Sequence, residues 1–156
     1  MALGQGAYAM LSETRRQIAL SQELYKPQVE LGRWLESELQ RQSRDGIEPD
    51  GPVIGPFRVL RRLLTEHFDY EEHVGFFAMS KELLPDDADA VDRLILQHAN
   101  FRERMHAIEN DLESAERYDE KLMTNAIEDV RCLFQDLHQH DLEENKLLRR
   151  LAATAS

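Results

Sequence analysis

Apolar residues recur at three- and four-residue steps along four stretches of the chain, at about residues 11–43, 56–84, 88–115 and 119–152. Glu, Gln, Arg and Leu occupy many of the positions between them, as they do in amphipathic α-helices. Glycine and proline concentrate instead in residues 46–56 and at Pro85-Asp86-Asp87, which mark breaks between helices. No stretch shows the convincing alternation of a β-strand. The pattern therefore predicts an all-α protein.

The four predicted helices bury their apolar stripes most simply in an up-down-up-down antiparallel four-helix bundle, because two of their connections are short. The chain has 156 residues, a usual size for one domain, and we expect a single bundle over residues 11–152. Pro27 interrupts the first stretch, since proline kinks a helix or begins a new one. Residues 11–26 are therefore expected to form an N-terminal helical arm.

Polar residues interrupt the apolar stripes near their middles. The second stripe reads Phe57, Leu60, Leu64, His67, Glu71, Val74, Ala78. The third reads Val91, Leu94, His98, Phe101, Met105, Ile108, and the fourth reads Ala126, Val130, Leu133, Leu137, His140, Glu144, Leu147, Leu151. Two stripes thus carry a histidine followed four residues later by a glutamate, the third carries a histidine, and the first carries Gln28 at the matching place. In an antiparallel bundle all these polar positions are expected to meet at one level.

A polar layer of three imidazoles and two carboxylates in an apolar core calls for a compensating partner, because each unpaired buried charge costs several kcal/mol. A divalent or trivalent cation is the natural partner. Imidazole nitrogen and carboxylate oxygen suit iron, manganese or zinc better than calcium, and glutamates on different helices could bridge two metals. A metal-free hydrogen-bonded network is the alternative. The doubled His-x-x-x-Glu pattern in matching register favours the metal.

At this point the chain resembles the hemerythrin-like (HHE cation-binding) family of four-helix bundles over about residues 20–150. The residues that carry the resemblance are His67-Phe-Asp-Tyr-Glu71-Glu72, His98 followed by Phe101 and Met105, and His140-Asp-Leu-Glu-Glu144. The resemblance implies a non-haem di-iron centre with Glu71 and Glu144 as bridging carboxylates. It further implies that His98 and His140 bind one iron and that His67 binds the other.

The chain also departs from the pattern of this family. The family supplies a histidine from the first helix, where this chain has Gln28, with Tyr25 one turn earlier as a phenolate alternative. Oxygen-carrying members have a second histidine one turn after the third-helix histidine, where this chain has Arg102, a cation that would repel a metal unless a neighbour such as Glu72 offsets it. Those carriers place an aspartate where this chain has Asn145, so the chain resembles the glutamate-containing branch of the family.

Fewer nitrogen ligands would leave coordination positions open to oxygen, peroxide or nitric oxide, which favours reactivity over simple reversible carriage. The first functional hypothesis is thus an iron protein, with two ions per chain, that binds or reduces one of these small molecules. A metal-dependent sensing or binding module is the second hypothesis, and a metal-free structural bundle is the third. Gly75 follows Glu71 by a further four-residue step, so its missing side chain could leave a gap near the metals or permit a close helix contact.

The charge and the cysteine content limit the classes of partner and the cellular compartment that the sequence predicts. Thirty acidic and nineteen basic residues give a formal charge of −11, which argues against nucleic acid or an anionic membrane as the partner. The single cysteine, Cys132, favours a reducing compartment, and we expect a cytoplasmic protein with this thiol buried. Trp34, Phe76 and Phe77 flank the stripes as core or dimer-facing residues, and an exposed aromatic flank of this kind would allow a homodimer.

Overall fold

A computed structural model describes residues 29–35, 54–73, 75–118 and 120–155, with isolated helical positions at 12, 13, 15, 16, 19 and 37. The described residues are helical apart from short turns and include no strand, which confirms the predicted all-α fold. The helices are α1 (residues 29–35), α2 (Ile54–His73), α3 (Phe76–Leu83), α4 (Ala88–Tyr118) and α5 (Glu120–Ala155), with a 3-10 turn at Pro85–Asp87. Tyr25, Gln28 and most of the predicted N-terminal arm lie outside the described residues.

Ion pairs between the long helices show how these helices run. Arg58 near the start of α2 pairs with Glu109 of α4 at 3.0 Å, and Asp69 near the end of α2 pairs at 2.8 Å with Arg102, which comes earlier in α4. The two helices are therefore antiparallel. Arg104 of α4 pairs with Asp136 of α5 at 2.7 Å, whereas Asp87, just before α4, pairs with Arg150 at 2.9 Å. Because the numbers again rise on one helix and fall on the other, α4 and α5 are antiparallel as well.

The apolar stripes predicted for the third and fourth helices are buried along their whole length, each residue being at most 8 % exposed. The core divides into two apolar clusters with the polar layer of His and Glu residues between them. The larger cluster contains Leu35 of α1 and residues of α2, α4 and α5 that include Phe57, Met105 and Leu133. The smaller one consists of Phe77, Val91, Leu94, Leu147 and Leu151. Each fully buried Leu or Phe contributes roughly 1.5–3 kcal/mol, so both ends of the polar layer are anchored.

The predicted second helix is two helices, because α2 ends at His73, two residues after Glu71. The backbone N–H of Gly75 donates to the carbonyl of Tyr70 at 2.7 Å, a turn one residue wider than that of an α-helix. The helix restarts at Phe76. This wider turn shifts the register: Phe77 and Ser80 are buried, whereas Ala78, which the uninterrupted stripe placed in the core, is exposed.

Gly75 permits a close backbone approach and does not line a gap. A Cβ atom at Gly75 would lie 2.9 Å from the Cα of Glu71 and 3.0 Å from the carbonyl oxygen of Tyr70. Both neighbours are backbone atoms and cannot move independently. The close-contact interpretation of this glycine is therefore the correct one.

We expect Gly75→Ala to lower the free energy of unfolding by about 1–3 kcal/mol, because the added methyl forces the turn open. Urea denaturation of the metal-free protein would measure this. Gly32→Ala in α1 is the matched control, since a Cβ there meets no atom within 4 Å. That control should be neutral or stabilising by roughly 0.4–1 kcal/mol. Equal effects of the two substitutions would show that the Gly75 contact is unimportant.

One expectation about the surface of the bundle, the burial of the cysteine, is wrong. Cys132 is exposed and not buried as predicted, because it lies on the outer face of α5 among the exposed residues 128, 129, 135 and 136. Trp34 is also largely exposed, with 44 % of its surface accessible. Among the described helices, none combines the length and the apolar character needed to cross a membrane.

Candidate metal centre

His98 of α4 meets His140 and Glu144 of α5 in the polar layer. The Nε2 atoms of the two histidines are 3.0 Å apart, and Oε1 of Glu144 lies 3.3 Å from Nε2 of His98 and 2.6 Å from Nε2 of His140. The three residues are buried. The one-turn spacing of His140 and Glu144 brings both side chains to the same face of α5. Three potential ligand atoms thus converge from two helices.

A second group adjoins the first and shares a carboxylate with it. His67 and Glu71 lie one turn apart on α2, with Nε2 of His67 3.0 Å from Oε1 of Glu71. These two residues and Glu144 can each offer a ligand atom, and the three atoms lie within 4.8 Å of one another. Oε1 of Glu71 also lies 3.6 Å from Nε2 of His98. The structure therefore brings together the five described residues that the sequence singled out.

The charges of this layer are incompletely compensated by the protein. Both carboxylate oxygens of Glu71 are buried without a hydrogen bond of good geometry to another described residue. Burial, followed by the negative charge of Glu144, raises the pKa of Glu71 well above its usual range. Although burial opposes it, hydrogen bonds from His140 and His98 lower the pKa of Glu144. Since an unsatisfied buried acceptor costs about 1–3 kcal/mol, Glu71 in particular calls for a further partner.

Aromatic rings enclose the histidines. The ring of Phe68 stacks on His98 with centroids 4.0 Å apart, and Phe77 lies on His98 at 5.3 Å. Phe101 meets His140 edge-on at 5.2 Å. Burial in this apolar surrounding lowers the pKa of His98. It therefore favours the neutral imidazole, which is the form that binds metals.

Residues outside the predicted ligand set contact the outer nitrogens of two histidines. Nδ1 of His140 lies 2.6 Å from the side-chain oxygen of Gln97, and Nδ1 of His98 lies 3.8 Å from Oε1 of Glu72. The sequence did not indicate Gln97. It immediately precedes His98, off the apolar stripe of the third helix, and resembles an ordinary residue of a helix surface. Its position next to His98 was the only available signal.

The guanidinium of Arg102 contacts two carboxylate groups and does not serve as a metal ligand. It donates to Glu72 at 2.5 Å and to Asp69 at 2.8 Å, and its guanidinium carbon lies 5.6 Å from the centroid of Phe68. These hydrogen bonds, first of all the one with Glu72, raise the pKa of Arg102. The cation at the place of a family histidine is thus offset by two acidic neighbours.

The comparisons with known proteins agree with this arrangement. The Hemerythrin HHE cation binding domain matches residues 28–152, which span α1 to α5. The chain belongs to the hemerythrin HHE cation-binding family. Neither the curated proteins nor the solved structures include a significant match to it. The three histidines that lie off the stripes of this HHE domain, His73, His106 and His138, are exposed and stand apart from the polar layer.

The donor atoms of the HHE domain fit a transition-metal ion. Ligand atoms held about 2.1 Å from one ion lie roughly 3 Å from each other, and the separations within the group of His98, His140 and Glu144 are 2.6, 3.0 and 3.3 Å. Mixed imidazole and carboxylate donors suit iron, manganese and zinc. A cation would also neutralise the buried Glu71 carboxylate. Metal binding by this domain accounts for the otherwise costly polar layer.

Proposed function

We propose that this protein is a non-haem di-iron protein that binds or reacts with oxygen, peroxide or nitric oxide. The observation that carries the proposal is that two ligand groups share Glu144, one completed by His98 and His140 and the other by His67 and Glu71. A carboxylate has two oxygens, so a glutamate shared by two ligand groups is suited to bridge two ions. Iron bound there would supply a redox-active Lewis acid for the small molecule.

We assign the metal-binding residues of the chain the following roles. His98 and His140 would hold one ion and His67 the other, while Glu71 and Glu144 would bridge them. Three imidazoles and two carboxylates provide fewer donors than two octahedral ions accept, so positions remain for an exogenous ligand. Gln28 or Tyr25 is the proposed additional donor from the first helix.

The side chains around the histidines of the site favour a small uncharged ligand. Phe68, Phe77 and Phe101 line the histidines and exclude water from their faces. An apolar wall gives no compensation for the charge of an anionic substrate but costs nothing to a neutral diatomic molecule. This selectivity supports oxygen and nitric oxide among the proposed ligands.

Metal content and reactivity test the proposal together. Protein expressed with ample iron should contain two irons per chain and show near-ultraviolet or visible absorption that changes on anaerobic reduction. Addition of oxygen, peroxide or nitric oxide to the reduced protein should restore or alter this absorption. His138→Ala is a suitable control, because His138 is exposed on α5 and should leave metal content unchanged.

Other results would identify the competing functions. Zinc alone, or one metal per chain, would contradict the di-iron proposal. Two irons without any reaction, but with a change in oligomeric state on loading, would indicate a metal-dependent sensing module. Folding that is unaffected by chelators in a protein without metal would indicate a structural bundle.

A further inference from the structure

We propose that Gln97 is a positioning residue of the metal centre, whose side-chain carbonyl accepts the Nδ1–H of His140 and directs the Nε2 lone pair of His140 towards the metal. The inference rests on the proposed metal-binding role of His140. It adds to that role a residue from the neighbouring helix that would not contact the metal.

The two ring nitrogens of His140 have different surroundings. Nε2 faces the ligand atoms of Glu144 and His98, at 2.6 and 3.0 Å. Nδ1 faces the side-chain oxygen of Gln97 at 2.6 Å, a short hydrogen-bond distance. Nε2 also faces an acceptor, the Glu144 carboxylate, so a bound metal would take the place of the Nε2 proton. Neutral imidazole carries a proton on only one nitrogen, and the carbonyl acceptor would hold that proton on Nδ1 and leave Nε2 to bind the metal.

The hydrogen bond also fixes the ring in space. His140 is 2 % exposed and is held on α5, whereas Gln97 projects from α4. A contact between two helices restrains rotation about the Cβ–Cγ bond of His140, and Phe101 meets the same ring edge-on. His98 lacks such a restraint, because its Nδ1 is buried without a hydrogen-bond partner among the described residues and lies 3.8 Å from Glu72.

The neutral amide makes a chemical difference as well. A carboxylate acceptor at Nδ1 increases the electron density of the imidazole more than an amide does. Gln97→Glu would therefore keep the hydrogen bond and make His140 a stronger donor to the metal. Gln97→Leu would remove the acceptor at similar side-chain size. Comparison of Gln97→Glu with Gln97→Leu separates the effect of the hydrogen bond from the effect of filling the space.

The experiment uses Zn²⁺, which is diamagnetic, as the probe. Competition with a chromophoric chelator should show that Gln97→Leu binds Zn²⁺ about 10–100-fold more weakly than the wild type. Gln97→Glu should restore the affinity to within a few-fold. Gln139→Leu, an exposed glutamine next to His140, should have no effect. In the iron-loaded protein, Gln97→Glu should lower the reduction potential.

Nitrogen-15 NMR of the Zn²⁺-loaded wild type tests the geometry without any substitution, so it decides the question even where a variant folds poorly. A slowly exchanging proton on Nδ1 of His140 supports the proposal. A proton on Nε2, with the Gln97 amide donating to Nδ1, overturns it. Unchanged Zn²⁺ affinity in Gln97→Leu overturns it too and leaves the metal-binding function intact. Absence of metal binding by the wild type overturns both.

Discussion

Replacing Glu144 by glutamine should abolish binding of both metals, because this residue belongs to both ligand groups. Saturating the wild type with iron at about 100 times the dissociation constant of each site should stabilise it by about 2.7 kcal/mol for each of the two ions. For a domain of this size each ion then corresponds to a rise of roughly 5–10 °C in Tm. The Glu144→Gln protein should show no rise. Glutamine keeps the volume of the side chain, so the comparison is not confused by a cavity.

Two further variants make this prediction selective. Glu143→Gln changes the neighbouring carboxylate, which lies off the polar layer and is half-buried, and it should keep the full metal content. Glu71→Gln should keep about one metal per chain, because His98, His140 and Glu144 remain. Metal analysis and calorimetry of the three variants are the measurements. Loss of only one metal in Glu144→Gln would contradict a shared carboxylate.

The polar layer could be located from sequence because helix periodicity is insensitive to small errors in the helix ends. Every predicted position of the stripes in α4 and α5 is buried, including His98, His140 and Glu144. A residue flanked three and four positions away by core leucines must face the core, whatever its own polarity. The doubled His-x-x-x-Glu spacing then brought the two motifs to one level of the bundle.

Two features escaped this reasoning for physical reasons. The break before Gly75 depends on a backbone hydrogen bond to Tyr70, which leaves no trace in the periodicity of side chains. A single glycine is also tolerated within many helices. The contact of Gln97 with His140 depends on the relative register of α4 and α5 and on one rotamer. Helix periodicity determines the face on which a residue lies but not its partner across the interface.

The interruption after α2 has a consequence for the site. Because the wider turn moves Phe77 into the core, this ring lies on His98, on a helix that follows the ligands of α2 by only a few residues. Without the register shift, position 78 would have faced the core and offered only the methyl group of an alanine. The glycine thus supports the apolar enclosure of the centre and does not itself line it.

Replacing Glu71 by leucine should stabilise the metal-free protein while removing one metal position. The Glu71 carboxylate is fully buried, and neither oxygen has a hydrogen bond of good geometry among the described residues. An apolar side chain of similar volume removes the cost of this unsatisfied group, so the free energy of unfolding should rise by about 1–3 kcal/mol. Urea denaturation in the presence of a chelator would measure the change. The iron-loaded wild type should show no such deficit, because the ion compensates the carboxylate.

The adjacent carboxylate provides the control for this prediction. Glu72 is hydrogen-bonded to Arg102, so Glu72→Leu leaves a half-buried guanidinium with one partner fewer and should lower the stability of the metal-free protein by about 0.5–2 kcal/mol. If Glu71→Leu raises the free energy of unfolding and Glu72→Leu lowers it, the glutamate at position 71 serves to bind a ligand and lowers the stability of the metal-free protein. A loss of stability in Glu71→Leu comparable with that in Glu72→Leu would instead show that the protein satisfies Glu71 by itself, and the case for a resident metal would weaken accordingly.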